Sequence, residues 1–146
     1  MLLAANQLIG KEWAFGVTYK VTQADLNSRF SNIPRSAFQL QKPNQDVTAF
    51  LHQINLYAIY QCPCGFFAQF DALWSQQSNQ RYSPDIPGDD FWQYNLYAGY
   101  RFLQRRAEAR IGLLNLTDRD YKLNPLTLYN ELPRERMLTV SFKFNF

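Results

Sequence analysis

Apolar and polar residues alternate at period two over about six stretches of this chain, and helical periodicity is nowhere as persuasive. Each stretch is near the roughly 9–11 residues that cross a bilayer as a tilted strand. The first, about 12–22, sets Trp13, Phe15, Val17, Tyr19 and Val21 against Gly16, Thr18, Lys20 and Thr22. The second, about 50–60, sets Phe50, Ile54, Leu56, Ala58 and Tyr60 against Gln53, Asn55 and Tyr57. In the third, about 66–75, Phe66, Ala68, Phe70, Ala72 and Trp74 oppose Gln69, Asp71 and Ser75. The fourth is the cleanest, with Trp92, Tyr94, Leu96, Ala98, Tyr100 and Phe102 opposite Gln93, Asn95, Gly99 and Arg101. The fifth, about 107–115, places Ala107, Ala109, Ile111 and Leu113 opposite Glu108, Arg110 and Gly112. The last, about 137–146, places Leu138, Val140, Phe142, Phe144 and Phe146 opposite Thr139, Ser141, Lys143 and Asn145.

Across the apolar faces, His52 included, there is no Asp, Glu, Lys or Arg, although 18% of the chain is charged. A Lys or Arg facing lipid near the bilayer midplane costs about 2–4 kcal/mol, which accounts for such an absence. A soluble sandwich predicts a similar alternation, so the connections must discriminate. They alternate long and short: roughly 23–49 long, 61–65 short, 76–90 long, 103–106 short, 116–136 long. Membrane barrels join strands by short periplasmic turns and long outer loops. The long connections carry turn formers, as in SNIPRS at 31–36, SPDIPGDD at 83–90 and the Pro125 to Pro133 stretch. Aromatics gather at both strand ends, Trp13, Phe15, Tyr60, Phe66, Tyr100, Phe102, Phe144 and Phe146 at one and Phe50, Trp74, Trp92 and Tyr94 at the other, as interfacial girdles do. Counting outward from the short turns pairs Phe102 with Ala107, Arg101 with Glu108 and Tyr97 with Gly112, and also Tyr60 with Phe66 and Leu56 with Phe70.

Composition narrows the chemistry. The 146 residues suit one domain, and no apolar run approaches the roughly 18 residues of a membrane helix. Aromatic residues make up 16% of the chain, and the net charge of +3 is dispersed, so no nucleic-acid footprint is present. The opening MLLAANQLIG lacks the basic leader and small-residue cleavage site of a secretory signal, so a protein acting outside the cytoplasm would need a beginning this stretch does not supply. A single histidine, His52, falls on the apolar face, where an interfacial side chain fits better than a catalytic one. Cys62-Pro63-Cys64-Gly65 admits a redox pair or half a metal site, but reads better as turn chemistry. Neither a phosphate loop nor a zinc motif occurs. No enzyme, cofactor or metal is expected. The charged residues Asp118, Arg119, Asp120, Lys122, Glu131, Arg134, Glu135 and Arg136 suit either an outer binding loop or a solvated loop held by its own salt bridges.

The terminal MLTVSFKFNF, with Leu138, Val140, Phe142, Phe144 and Phe146 at alternate positions, resembles the last strand of bacterial outer-membrane proteins. In those families this strand is an assembly signal read by the barrel assembly machinery. The segment ARIGLLNLTDRDY at 109–121 resembles the penultimate strand and loop of TonB-dependent receptors, through Asn115, Leu116, Asp118 and Tyr121. Pro133 and Arg134 sit where that family often has a Gly/Pro-Arg pair. The motifs cover about the last 40 residues, and the strand rhythm extends the likeness to nearly the whole chain. The family's plug domain and energy-coupling box are not visible, and about six strands replace its 22.

The sequence therefore predicts an all-β fold: an antiparallel up-and-down meander of about six strands, forming a partial transmembrane β-barrel. Residues 1–11 are expected to be the remnant of a preceding strand and its turn, and 12–146 the C-terminal segment of the barrel. The candidate lumen-facing residues are Asp71, Asn95, Arg101, Glu108, Arg110 and Lys143. Leu96→Arg is expected to prevent insertion and Asn95→Arg to be tolerated. The resemblance implies a solute uptake protein of a Gram-negative-type outer membrane. Its partners would be outer-membrane lipid, the assembly machinery, a missing N-terminal barrel part or plug, and a TonB-type energy coupler. The alternatives are a barrel anchoring a periplasmic repeat protein in export or assembly, and a soluble β-sheet binding module.

Overall fold

The computed structural model describes residues 1–29, 45–81, 88–104, 106–121, 123 and 135–145. They form seven strands: β1 (Leu2–Ile9), β2 (Trp13–Ser28), β3 (Gln45–Gln61), β4 (Phe66–Gln80), β5 (Asp90–Phe102), β6 (Ala107–Leu114) and β7 (Met137–Phe144). All lie in one antiparallel sheet in sequence order, an up-and-down meander left open at β1 and β7. The all-β expectation holds, with seven strands where the alternation gave about six. The additional one is β1, which pairs with β2 from Leu2↔Lys20 to Ile9↔Trp13. Its pattern is blurred because Gln7 and Leu8 each sit on the face opposite to their polarity.

The three longest strands exceed the expected bilayer-crossing length, at 16, 17 and 15 residues for β2, β3 and β4. The alternation stopped early for a physical reason. Beyond Val21 the face that was apolar becomes polar (Gln23, Asp25, Asn27) while the other carries Ala24 and Leu26, so the contrast inverts as pairing continues to Ser28↔Gln45. The long connections shorten accordingly to 29–44 and 81–89.

The β5–β6 register is as expected, with Phe102↔Ala107, Arg101↔Glu108 and Tyr97↔Gly112. The β3–β4 register differs by two residues: Tyr60 faces Ala68 and Leu56 faces Ala72. The turn explains the shift. Cys62 N–H donates to the Phe66 carbonyl at 2.8 Å and Gly65 N–H to the Cys62 carbonyl at 3.0 Å, so the loop proper is Pro63-Cys64-Gly65. Gly65 has φ +100°, the left-handed residue that three-residue hairpin loops need. An even shift keeps every side chain on its face. Cys62 and Cys64 are joined by a disulfide across Pro63, where turn chemistry alone had been the better sequence reading.

Three interior glycines are each directly opposite an aromatic ring: Gly16↔Tyr57, Phe67↔Gly99 and Tyr97↔Gly112. At Gly99 an added Cβ would lie 2.6 Å from the Ala109 carbonyl oxygen, and at Gly112 it would lie 2.6 Å from Tyr97 Cδ1. The rings lie in the space a side chain would fill, which covers strand backbone that glycine leaves bare.

Candidate functional site

Directly paired residues share a face, so the registers assign every strand position to one of two surfaces. One surface is apolar and outward. It carries Leu3, Ala5 and Ile9 on β1, Trp13 to Val21 at alternate positions on β2, and the equivalent rows through Leu138, Val140, Phe142 and Phe144 on β7. Trp92, Leu96 and Phe142 are 40%, 44% and 66% exposed, so among the described residues no second layer covers them. No Asp, Glu, Lys or Arg stands on this surface from the row of Trp13, Tyr60 and Ala68 to the row of Tyr19, Ile54, Trp74 and Trp92; the next row outward, Val21, His52 and Gln76, reaches Asp90.

Both borders are aromatic. At the short-turn end Trp13 packs 4.8 Å from Tyr60 and 5.8 Å from Phe15, and Phe102 lies 6.0 Å from Phe142. At the long-loop end the Trp74 indole N–H donates to Asp90 Oδ1 at 2.6 Å, and the Tyr19 hydroxyl is hydrogen-bonded with His52 Nδ1 at 2.7 Å. Trp74, Tyr19 and His52 each have an apolar body and a polar tip. Past that border the outward face turns polar: Thr48 donates to Asp25 at 2.7 Å, Gln23 donates to the same carboxylate at 2.9 Å, and Arg81 meets Asp46 at 3.5 Å. His52 lies on the apolar face, at its edge, where the sequence reading had it.

The opposite surface is polar and more enclosed; on β2 its positions Ala14, Gly16 and Thr18 are half-buried where Trp13, Phe15 and Val17 are exposed. All six candidate lumen residues stand on it, in two groups. Asp71 and Asn95 are directly opposite each other. Gln69 donates to both Asp71 oxygens at 2.9 and 3.0 Å, and Tyr57, in the same row, donates to Asn6 Oδ1 at 2.6 Å. Six residues further along β5, about 20 Å of strand, Arg101, Glu108 and Lys143 share a row. Arg101 Nε donates to Glu108 at 2.8 Å, with both side chains nearly three-quarters buried, and its guanidinium lies 4.5 Å over Phe67. Arg110, one row in, lies 3.9 Å over Tyr97. Two arginines stacked on the rings that cover Gly99 and Gly112 brace this end of the face. Sequence reasoning named the arginines and set the Tyr97 ring over bare Gly112; it missed Phe67 over Gly99 and the stacking of both guanidinium groups on these rings.

The residues of the family-like motif come together at the other end. Asn115, at φ +50°, closes the turn after β6 by donating to the Arg119 carbonyl and accepting from Arg119 N–H, both at 3.0 Å. Its own N–H donates to Asn95 Oδ1 at 3.0 Å, tying the loop to the inner face. Asp118 Oδ1 accepts the Arg136 N–H at 2.8 Å, clasping the outgoing and returning limbs of the connection. Tyr121 stacks on Phe91 at 4.3 Å, both rings buried. Leu116 stays exposed, with its N–H donating to the Tyr94 carbonyl. The motif is therefore a latch that folds the start of the β6–β7 connection over the inner face. Lys122, the stretch 124–134 and Phe146 lie outside the described residues, as do the sequence readings that fall on them. Among the described residues no group of three or more His, Cys, Asp or Glu side chains is placed to hold a metal.

In comparisons with known proteins, no protein family, curated protein or solved structure matches the chain.

Proposed function

We propose that this chain forms part of the wall of a β-barrel in the outer membrane of a Gram-negative-type cell, most like the C-terminal end of a TonB-dependent receptor. The complete barrel passes or captures a solute. One observation carries the membrane reading: the outward surface of all seven strands is apolar and uncharged over a bounded band. On β5 that band runs from Trp92 to Phe102, ten residues or about 33 Å of strand. At a tilt near 40° this is about 25 Å of height, the apolar band of a membrane barrel. A soluble sheet would need a second layer over the same residues.

The uptake reading is supported by the resemblance at 109–121 and 137–146 and by a polar inner face with a latched connection. In this reading the partners are outer-membrane lipid, the barrel assembly machinery acting on the β7 residues, the remaining barrel wall or plug, and a TonB-type coupler. The role is transport, without catalysis. The deciding experiment is size-exclusion chromatography with and without detergent, joined to vesicle flotation. Dependence on detergent and flotation with vesicles are expected, and a clean monomer in plain buffer that stays off vesicles overturns the membrane reading. A plug-like domain encoded upstream in the same reading frame would support uptake. Periplasmic helical repeats there would replace uptake with an anchoring role.

A further inference from the structure

The turn between β3 and β4 holds two sulfurs that neither face of the sheet uses. Cys62 and Cys64 are joined across Pro63, and their loop lies beyond Tyr60 and Phe66, outside the apolar band. A disulfide stabilises mainly by closing a loop in the unfolded chain, an effect that is smallest for the shortest loops. The turn has other supports. Cys62 N–H donates to the Phe66 carbonyl at 2.8 Å, Gln61 N–H to the Glu12 carbonyl at 2.7 Å from the neighbouring turn, and Arg101 N–H to the Gly65 carbonyl at 2.9 Å from β5. None of these bonds involves sulfur, so reduction leaves the two cysteines in place. Their Cα atoms lie 5.1 Å apart, close enough for the bond to form again.

The two sulfurs are not equivalent. Cys64 is exposed and Cys62 half-buried, and Cys62 Sγ accepts the Cys64 N–H at 3.2 Å. A donor aimed at a sulfur favours its thiolate, and the sulfur with the more stable thiolate is the better leaving group. We propose that this turn is a thiol-exchange site, opened at Cys64 by the thiolate of a dithiol protein. The thiolate forms a new S–S bond to Cys64 Sγ while the Cys62–Cys64 bond breaks, and the electron pair leaves on Cys62 Sγ. The second thiolate of the partner then attacks the partner's own sulfur in the mixed disulfide and releases Cys64 as a thiolate. Two electrons pass from the dithiol to the cystine, the partner becomes a disulfide, and its two protons end on Cys62 and Cys64. The reverse sequence closes the turn again. The loop faces water whether or not the apolar band meets lipid, so this inference stands apart from the membrane reading.

The test uses the full folded chain with its disulfide intact. Excess reduced glutathione is added, exchange is stopped with acid, and peptide mass spectrometry maps the mixed disulfide. An adduct on Cys64 exceeding that on Cys62 by at least about tenfold is expected, and a smaller excess, or no adduct, overturns attack at Cys64. Opening by dithiothreitol is then timed on the folded chain and on the chain unfolded in urea. The folded rate is expected within about tenfold of the unfolded one; a slower rate makes the bond a staple that must unfold to react, and overturns the proposal. Reduced thioredoxin serves as the dithiol protein, and at equal dithiol concentration it is expected to open the folded chain at least about tenfold faster than dithiothreitol. A smaller advantage overturns the assigned partner class. Amide exchange in β3 and β4 is expected to be the same in the reduced and oxidised chains, and loss of protection there on reduction also overturns the proposal.

Discussion

Leu96→Arg is the sharpest probe of the two-faced wall. Leu96 lies on the outward face of β5, between Phe70 and Leu113, and is 44% exposed. It is four residues from Trp92 at the long-connection border, about 13 Å along the strand. At a 40° tilt that is about 10 Å of depth, within about 3 Å of the middle of a 25 Å band. In the proposed membrane setting an arginine there meets nearly the full midplane penalty of about 2–4 kcal/mol, a loss of about 30- to 700-fold in partitioning. The control is Asn55→Arg, on the inner face beside outward Leu56, with an expected change below about 1 kcal/mol. Asn95→Arg is a poorer control than the sequence suggests, because Asn95 Oδ1 accepts from both Gln93 and Asn115 N–H. Losing two neutral hydrogen bonds costs about 2 kcal/mol regardless of lipid. The assay is vesicle partitioning across a urea series, read by tryptophan fluorescence. Equal partitioning of Leu96→Arg and Asn55→Arg would refute the face assignment.

Other outcomes follow from the contacts. Gly112→Ala is expected to cost about 1–3 kcal/mol, since the new methyl meets the Tyr97 ring and Thr139 Oγ1; in a double-mutant cycle with Tyr97→Ala the two costs should be less than additive. Asn115→Ala removes both hydrogen bonds to Arg119 and places alanine at positive φ. It should destabilise the latch by about 2 kcal/mol, seen as faster amide exchange at 115–121 with β3 and β4 unchanged. Reducing the Cys62–Cys64 disulfide should lower unfolding stability by less than about 2 kcal/mol, because the closed loop is so short; a larger drop in urea midpoint would contradict this. Arg101→Ala should cost more than Lys143→Ala, because Arg101 is paired with Glu108 and stacked on Phe67 while Lys143 is exposed.

The sequence by itself determined the strand class, the order of most strands and the two faces. Period-two polarity is written residue by residue, and any register with the right parity preserves it. It also determined the β5–β6 register, where Arg101, Glu108, Tyr97 and Gly112 complement one another across a four-residue loop. Other features were decided only in three dimensions. The β3–β4 register turned on how Gly65 closes its loop, which shifts the pairing by two without changing a face. The ends of β2, β3 and β4 escaped because polarity inverts where the strands leave the apolar band, so the hydrophobic signal vanishes while backbone hydrogen bonds continue. Residues 2–9 were readable as the tail of a strand, but the pairing of β1 depended on its neighbour β2 rather than on its own alternation. The Phe67 ring over Gly99, the two arginine stacks and the Asn115 latch join residues from different strands and connections. Such contacts follow from packing, which a linear pattern of polarity does not encode.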